Sequence, residues 1–186
     1  MSRIIAGLAG GLPLNSVPGT GTRPTTDRVK EALFSRLEAY GVLEGSEVLD
    51  LFAGSGALGL EAGSRGAASV TLVDLDAKAV AACQKNGALL NEASPRLRIS
   101  VQRSKVTAYL ERAVGAWDLV FLDPPYPLGE DDLAHVLTLL SGHLAEGAVV
   151  VVERSSRSPE PAWPDALERF AEKKYGETVL WFAEPA

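Results

Sequence analysis

At 186 residues, 46% hydrophobic and 23% charged, the chain has the balance of one globular domain, and no apolar run is long enough for a membrane-spanning helix or a secretory signal. Its single cysteine, Cys83, excludes an internal disulfide and a cysteine zinc cluster. His135 and His143 stand in no metal-ligand spacing, so a cytoplasmic protein without a metal is expected. The net charge of −6 argues against general nucleic-acid binding, yet residues 1–36 hold five basic against two acidic residues, a net +3 that leaves −9 for the rest.

The glycines and prolines of residues 1–24 predict a short strand or hairpin followed by a loop. A helix comes next: Thr25 and Thr26 are candidate caps, Asp27 suits the positive end of its dipole, and Val29, Leu33 and Leu37 share one face. From residue 47 apolar strands alternate with helices. Strands are predicted at 47–52, 69–74, 97–102, 119–122 and 148–153, with helices at 57–65, 77–91, 106–113 and 130–143 between them. Near-continuous apolar strands separated by helices predict a parallel sheet covered on both faces. The residues 170–175 and 178–182 flank Gly176-Glu177 and predict a closing antiparallel hairpin. The fold expected is therefore α/β and Rossmann-like: a mostly parallel seven-stranded sheet with a C-terminal antiparallel hairpin and helices on both faces. A small N-terminal extension (1–40) would precede the main domain (41–186). The Ser/Pro/Arg-rich stretch 154–164 is expected to be a surface connection.

Two motifs carry chemistry. The first, Asp50-Leu51-Phe52-Ala53-Gly54-Ser55-Gly56-Ala57-Leu58-Gly59, follows the first strand of the parallel sheet, where such sheets bind ligands. Its glycines allow close backbone approach, and the helix after them presents free N–H groups. The G-x-G-x-x-G spacing, with Asp74 twenty residues beyond Gly54, fits a nicotinamide enzyme as well as one that uses S-adenosylmethionine (SAM). Asp50 favours SAM, because a carboxylate there can hold a cationic amino group and would repel a pyrophosphate. Asp74, ending the next strand, is placed to accept hydrogen bonds from ribose hydroxyls, whereas Asp76 reads as a helix cap.

The second motif, Asp123-Pro124-Pro125-Tyr126, is delivered to the same sheet edge by the apolar strand before it. Two prolines stiffen the loop and remove two N–H donors. An exocyclic amine on a base is a poor nucleophile, since its lone pair is delocalised into the ring. Asp123 and the Pro124 carbonyl can each accept one N–H of such an amine and aim its lone pair at a methyl group. Tyr126 is suited to stack on the base.

The order LDLFAGSG then DPPY resembles amino-group methyltransferases acting on DNA adenine, RNA guanine or protein glutamine. With Arg23–Phe34 (RPTTDRVKEALF), the run Gly54–Ala62 and the late Tyr175-Gly176-Glu177-Thr178, essentially the whole chain resembles the RsmD family. That resemblance implies SAM-dependent methylation of the N2 amine of one guanine in 16S rRNA, within the small ribosomal subunit. It implies catalytic roles for Asp123, Pro124 and Tyr126. Contacts to the cofactor would come from Asp50, Phe52, Gly54, Ser55, Gly56, Asp74, Ser104 and Thr25. Contacts to RNA would come from Arg23, Arg28, Pro125 and Tyr126. Family members usually carry basic residues after the first strand, where this chain has Gly10-Gly11-Leu12-Pro13-Leu14, and Ser104 stands where an acidic or amide group is common. The assembled particle is the expected acceptor, because its proteins could supply contacts this chain lacks, and nothing demands more than a monomer. The competing readings are a DNA adenine methyltransferase, a nicotinamide oxidoreductase and a non-catalytic RNA-binding assembly factor.

Overall fold

The computed structural model describes residues 2–19 and 26–186. Two short strands, β1 (Ser2–Arg3) and β2 (Pro13–Leu14), pair antiparallel as a hairpin and lead toward helix α1 (Asp27–Tyr40). Thr26 caps α1, its hydroxyl accepting the Val29 N–H at 3.3 Å, which is one of the two caps expected from the sequence; Thr25 lies outside the described residues. The alternation then runs β3 (Glu47–Leu51), α2 (Ala57–Ser64), β4 (Ser69–Asp74), α3 (Ala77–Ala93), β5 (Arg98–Arg103), α4 (Val106–Arg112), β6 (Trp117–Leu122), α5 (Glu130–Leu140) and β7 (Leu144–Ser155). Residues 141–143, expected to extend α5, form a separate 3-10 turn. The chain ends in the predicted hairpin, β8 (Leu167–Tyr175) and β9 (Thr178–Pro185).

The seven-stranded sheet has the order β5-β4-β3-β6-β7-β9-β8. Strands β3 to β7 are parallel and the last two run antiparallel, as the sequence predicts. Alternate residues of each strand feed one of two apolar layers, because side chains leave a strand on opposite faces in turn. Val48, Leu119, Phe121, Val151 and Leu180 join Leu33, Phe34 and Leu37 of α1 and Leu60 of α2 on one face. Leu49, Val120, Leu122, Val150 and Val152 join Leu110 of α4 and Leu133 and Leu137 of α5 on the other. The hairpin residues Ile4, Ala9 and Leu14 belong to the first of these layers.

One helix, α2, is packed unusually close to the sheet. A Cβ on Gly59 would stand 2.7 Å from Leu72 Cδ2, 3.0 Å from Val70 Cγ1 and 3.1 Å from Asp50 Cβ, so only glycine permits this approach. The closeness fixes where the helix begins, and with it the loop that carries the first motif.

The charged residues 154–164 are not wholly a surface connection. Arg154 lies within β7, is buried, and forms an ion pair with Glu130 at the start of α5. Its neighbours in the run of valines pull it into the sheet, and the acidic first turn of α5 supplies its countercharge.

Candidate active site

The parallel strands end along one edge, and four acidic residues close them in a row. Asp74 ends β4, Asp50 is the last residue but one of the neighbouring β3, Asp123 follows β6, and Glu153 lies near the end of β7. The glycine loop leaves β3 over this edge. Phe52 holds φ +60°, the only described non-glycine residue with positive φ, and Gly56 at φ +83° turns the chain into α2. A bulky residue in the left-handed region costs roughly 1–3 kcal/mol and persists where its surroundings impose it. Here the surroundings are three bonds to the acids and their strands. Ala53 N–H donates to the Val73 carbonyl at 3.0 Å, Gly54 N–H to Asp74 Oδ2 at 2.9 Å, and Gly59 N–H to Asp50 Oδ2 at 2.9 Å. Asp50 and Asp74 thus shape the loop as well as facing it.

A further clamp comes from α3. Asn86, fully buried, donates to the Ser55 carbonyl at 2.8 Å and to the Asn15 carbonyl at 3.0 Å, while its own carbonyl accepts the Asn15 N–H at 2.8 Å. The segment after β2 is thereby tied to the glycine loop. Cys83 has the structural place expected of it, buried on α3 and donating to the Gly54 carbonyl at 3.1 Å. Asp76 caps α3 through the Ala79 N–H at 3.2 Å, also as expected.

The electrostatics of the edge are unusual. Burial pushes the Asp50 carboxyl up to about 8; the Gly59 bond opposes this, and the like charges of Asp74 and Glu153 add to it. Asp123 is held well above the ordinary carboxylate range, first by burial and then by the charge and hydrogen bond of Glu153 and the charge of Asp50, against a smaller pull from Arg154. Carboxyls so close cannot all be ionised at low cost, and a cation or a set of N–H donors would relieve them.

The Asp-Pro-Pro-Tyr loop sits at the centre of this edge. Asp123 is half-buried, Pro124 is buried, Pro125 is exposed and its carbonyl accepts the Leu128 N–H at 3.0 Å. Tyr126 is 80% exposed, an aromatic ring left in solvent beside the acids of the sheet edge. Among the described residues no cluster of His, Cys, Asp or Glu could hold a metal ion, and no helix is long and apolar enough to cross a membrane.

The family model described as conserved hypothetical protein 95 matches residues 2–184. The chain belongs to that family. "Ribosomal RNA small subunit methyltransferase D" of Escherichia coli is 38% identical over 179 residues, covering 95% of this chain and 86% of its own. These matches bear out the RsmD resemblance. Among solved structures, "Putative methyltransferase yhhF from Escherichia coli" superposes with a TM-score of 0.83 at 34% identity, over 98% of this chain and 97% of that one. Magnesium protoporphyrin IX methyltransferase from Synechocystis, solved with bound SAM, shares the fold alone, with a TM-score of 0.66 at 13% identity over 89% and 87% of the two chains.

Within this family member the residues singled out from sequence fall into three groups. Asp50, Phe52, Gly54, Ser55, Gly56, Asp74, Asp123 and Pro124 come together along the sheet edge, with Pro125 and Tyr126 exposed beside them. Ser104 lies at the same edge, its N–H donating to the Asp74 carbonyl at 3.0 Å. Its hydroxyl is engaged by Arg112 Nη1 at 3.2 Å and by the Lys105 carbonyl at 2.9 Å. Arg28 is exposed on the first turn of α1, and Arg23 and Thr25 lie outside the described residues. Sequence reading misses Glu153 and Asn86. The signal for Glu153 is its place after four valines, at the depth where the neighbouring strand delivers Asp123. Asn86 lies inside an ordinary helical pattern and leaves no such trace.

Proposed function

We propose that this chain binds SAM along the acidic edge and methylates the N2 amine of one guanine in 16S rRNA of the small ribosomal subunit. The observation that carries the reading is the convergence, on one sheet edge, of a strained glycine loop, a row of carboxylates and a stiff Asp-Pro-Pro-Tyr loop bearing an exposed aromatic ring. The donor set fits the cofactor. Carboxylates suit an ammonium group and ribose hydroxyls, and they would repel the pyrophosphate of a nicotinamide dinucleotide. Asp50 would face the amino group directly or through water, Asp74 the ribose, and the loop from Phe52 to Gly56 the body of the cofactor. Ser104 and Thr25 are proposed as its remaining neighbours, and Arg23 and Arg28 as phosphate contacts of the RNA.

SAM, when bound, supplies a methyl on a positively charged sulfur, so transfer makes one N–C bond, breaks one C–S bond with its electron pair returning to sulfur, and releases one amine proton. Asp123 and the Pro124 carbonyl each accept an N–H of the guanine amine and turn its lone pair toward the methyl. Asp123, whose carboxyl pKa is already raised by burial and then by its acidic neighbours, takes the released proton. Tyr126 stacks on the base after it leaves its own stack. The chain works as a monomer in the cytoplasm on the assembled subunit, whose proteins supply contacts that its N-terminal hairpin does not.

Transfer of labelled methyl from SAM to small subunits that lack the modification, followed by nuclease mapping, tests this directly. Label on the N2 of a single guanine is expected. Bound SAM with label only on DNA or protein would overturn the acceptor, and equal rates on deproteinised 16S rRNA would remove the preference for the assembled subunit.

A further inference from the structure

We propose that Glu153 is a specificity-determining residue of this site: it accepts the N1–H of the guanine whose N2 amine Asp123 holds. The inference rests on the guanine-N2 reading above and deepens it.

The register of the sheet places the two acids together. Leu122 of β6 stands opposite Val152 of β7, so Asp123 and Glu153 follow at the next step of adjacent parallel strands. They leave the same face of the sheet. Glu153 is in register with Leu180 of β9 and follows the alternation of Val151, which packs in the layer beneath α1, and Asp123 follows Phe121 of that layer. The next residue, Arg154, turns to the opposite face, where Glu130 binds it. Besides Glu153, the charges that act on Asp123 are Asp50 on β3 and, from the opposite face of the sheet, Arg154. Asp123 and Glu153 act on each other directly, the Glu153 charge helping to raise the Asp123 pKa after burial, and both are half-buried, open to a ligand at the sheet edge.

Two adjacent carboxyls match one base edge and not another. Guanine presents two donors side by side, the N2 amine and N1–H. The amine of adenine is flanked instead by ring nitrogens that only accept. Ionised carboxylates only accept, so a pair of them pairs with guanine and meets lone pairs on adenine. Guanine brings one N–H donor to each of the two acids. One acid at the tip of the Asp-Pro-Pro-Tyr loop would hold an amine on any base, whereas the second acid on β7 selects the base.

The test compares guanine with 2-aminopurine at the target position of reconstituted small subunits. 2-Aminopurine keeps the N2 amine but offers an acceptor at N1. Wild-type enzyme is expected to methylate guanine at least about a hundredfold faster, since a site built for an N–H rejects an analogue lacking it. In Glu153→Gln, whose amide can donate to that acceptor, and in Glu153→Ala, the guanine-to-2-aminopurine ratio is expected to fall by at least about tenfold. The ratio is internal to each preparation, so a partly unfolded variant still reports it. The fluorescence of 2-aminopurine gives a second readout, binding of the base, and is expected to show tighter capture by Glu153→Gln than by wild type. A ratio unchanged in both variants overturns the inference while the guanine-N2 reading stands. Absence of label on any guanine N2 with wild-type enzyme removes that reading and this inference together.

Discussion

Two buried acidic environments beside α2 behave in opposite ways. In the second turn of the helix, Glu61 is fully buried and saturated. It accepts the Ile5 N–H at 2.8 Å, the Ala6 N–H at 3.1 Å and Arg65 Nε at 2.8 Å, with Lys30 Nζ at 3.7 Å. Lys30, itself only 1% exposed, donates to the Arg3 carbonyl at 2.5 Å. Burial lowers the Lys30 pKa, and the charge of Glu61 resists that. This network docks the N-terminal hairpin and α1 on the body of the fold. Beside the first turn of the helix, Asp50 is as deeply buried but has one N–H bond and acidic neighbours. A buried charge with its partners in place is architecture; one short of partners is poised for a ligand. The same residue type serves both purposes because of what surrounds it.

The strongest challenge to this contrast comes from Asp123. Replacing Asp123 with Ala should lower turnover by at least about a thousandfold, the scale of losing a positioned transition-state contact, while SAM affinity measured by calorimetry changes little. Undiminished turnover would remove the reactive role given to this edge.

A smaller effect, on folding rather than chemistry, is expected at Glu61 of α2. Glu61→Ala leaves Lys30 buried without its countercharge and strips the acceptor from two backbone N–H groups. It should destabilise the chain by about 3–5 kcal/mol in urea unfolding. A loss below about 1 kcal/mol would mean that the network is dispensable and the comparison misplaced.

A third effect, comparable in size, is read from the pH dependence of stability at Asp50. The folded-state pKa of Asp50 is raised to about 8 from an ordinary value near 3.8, so the folded protein binds a proton there that the unfolded chain releases. Its contribution to stability is complete below the ordinary value and is lost as pH rises through about 8, at no more than about 1.4 kcal/mol per pH unit. Asp50→Asn cannot ionise and keeps an acceptor for the Gly59 N–H. It should therefore gain stability relative to wild type progressively between pH 5 and about pH 8, followed by thermal unfolding across that range. A stability difference independent of pH would show that Asp50 is already charged in the folded chain.

Much of the site is legible in the amino-acid sequence. Asp50, the glycines and Asp74 are readable because a ligand site in an open parallel sheet must lie at the carboxyl ends of its strands, and the apolar runs mark those ends. Asp123 is readable for the same reason, with two prolines to mark a stiff loop. Glu153 escapes such a reading because its strand carries no motif; it matters only through its register with β6. Arg154 is misleading in sequence because it opens the run Arg154-Ser155-Ser156-Arg157-Ser158-Pro159, which composition alone makes a loop, whereas pairing with β9 and the acidic start of α5 hold it inside.

By itself the sequence determined the fold class, the family and the residues that end three strands, since hydrophobic period and strand-end motifs are local properties of the chain. Only the tertiary structure decided which acids lie side by side, which are saturated with donors, and which are left at the open sheet edge. Those outcomes depend on strand order, register and burial, and each brings together residues that are far apart in the chain.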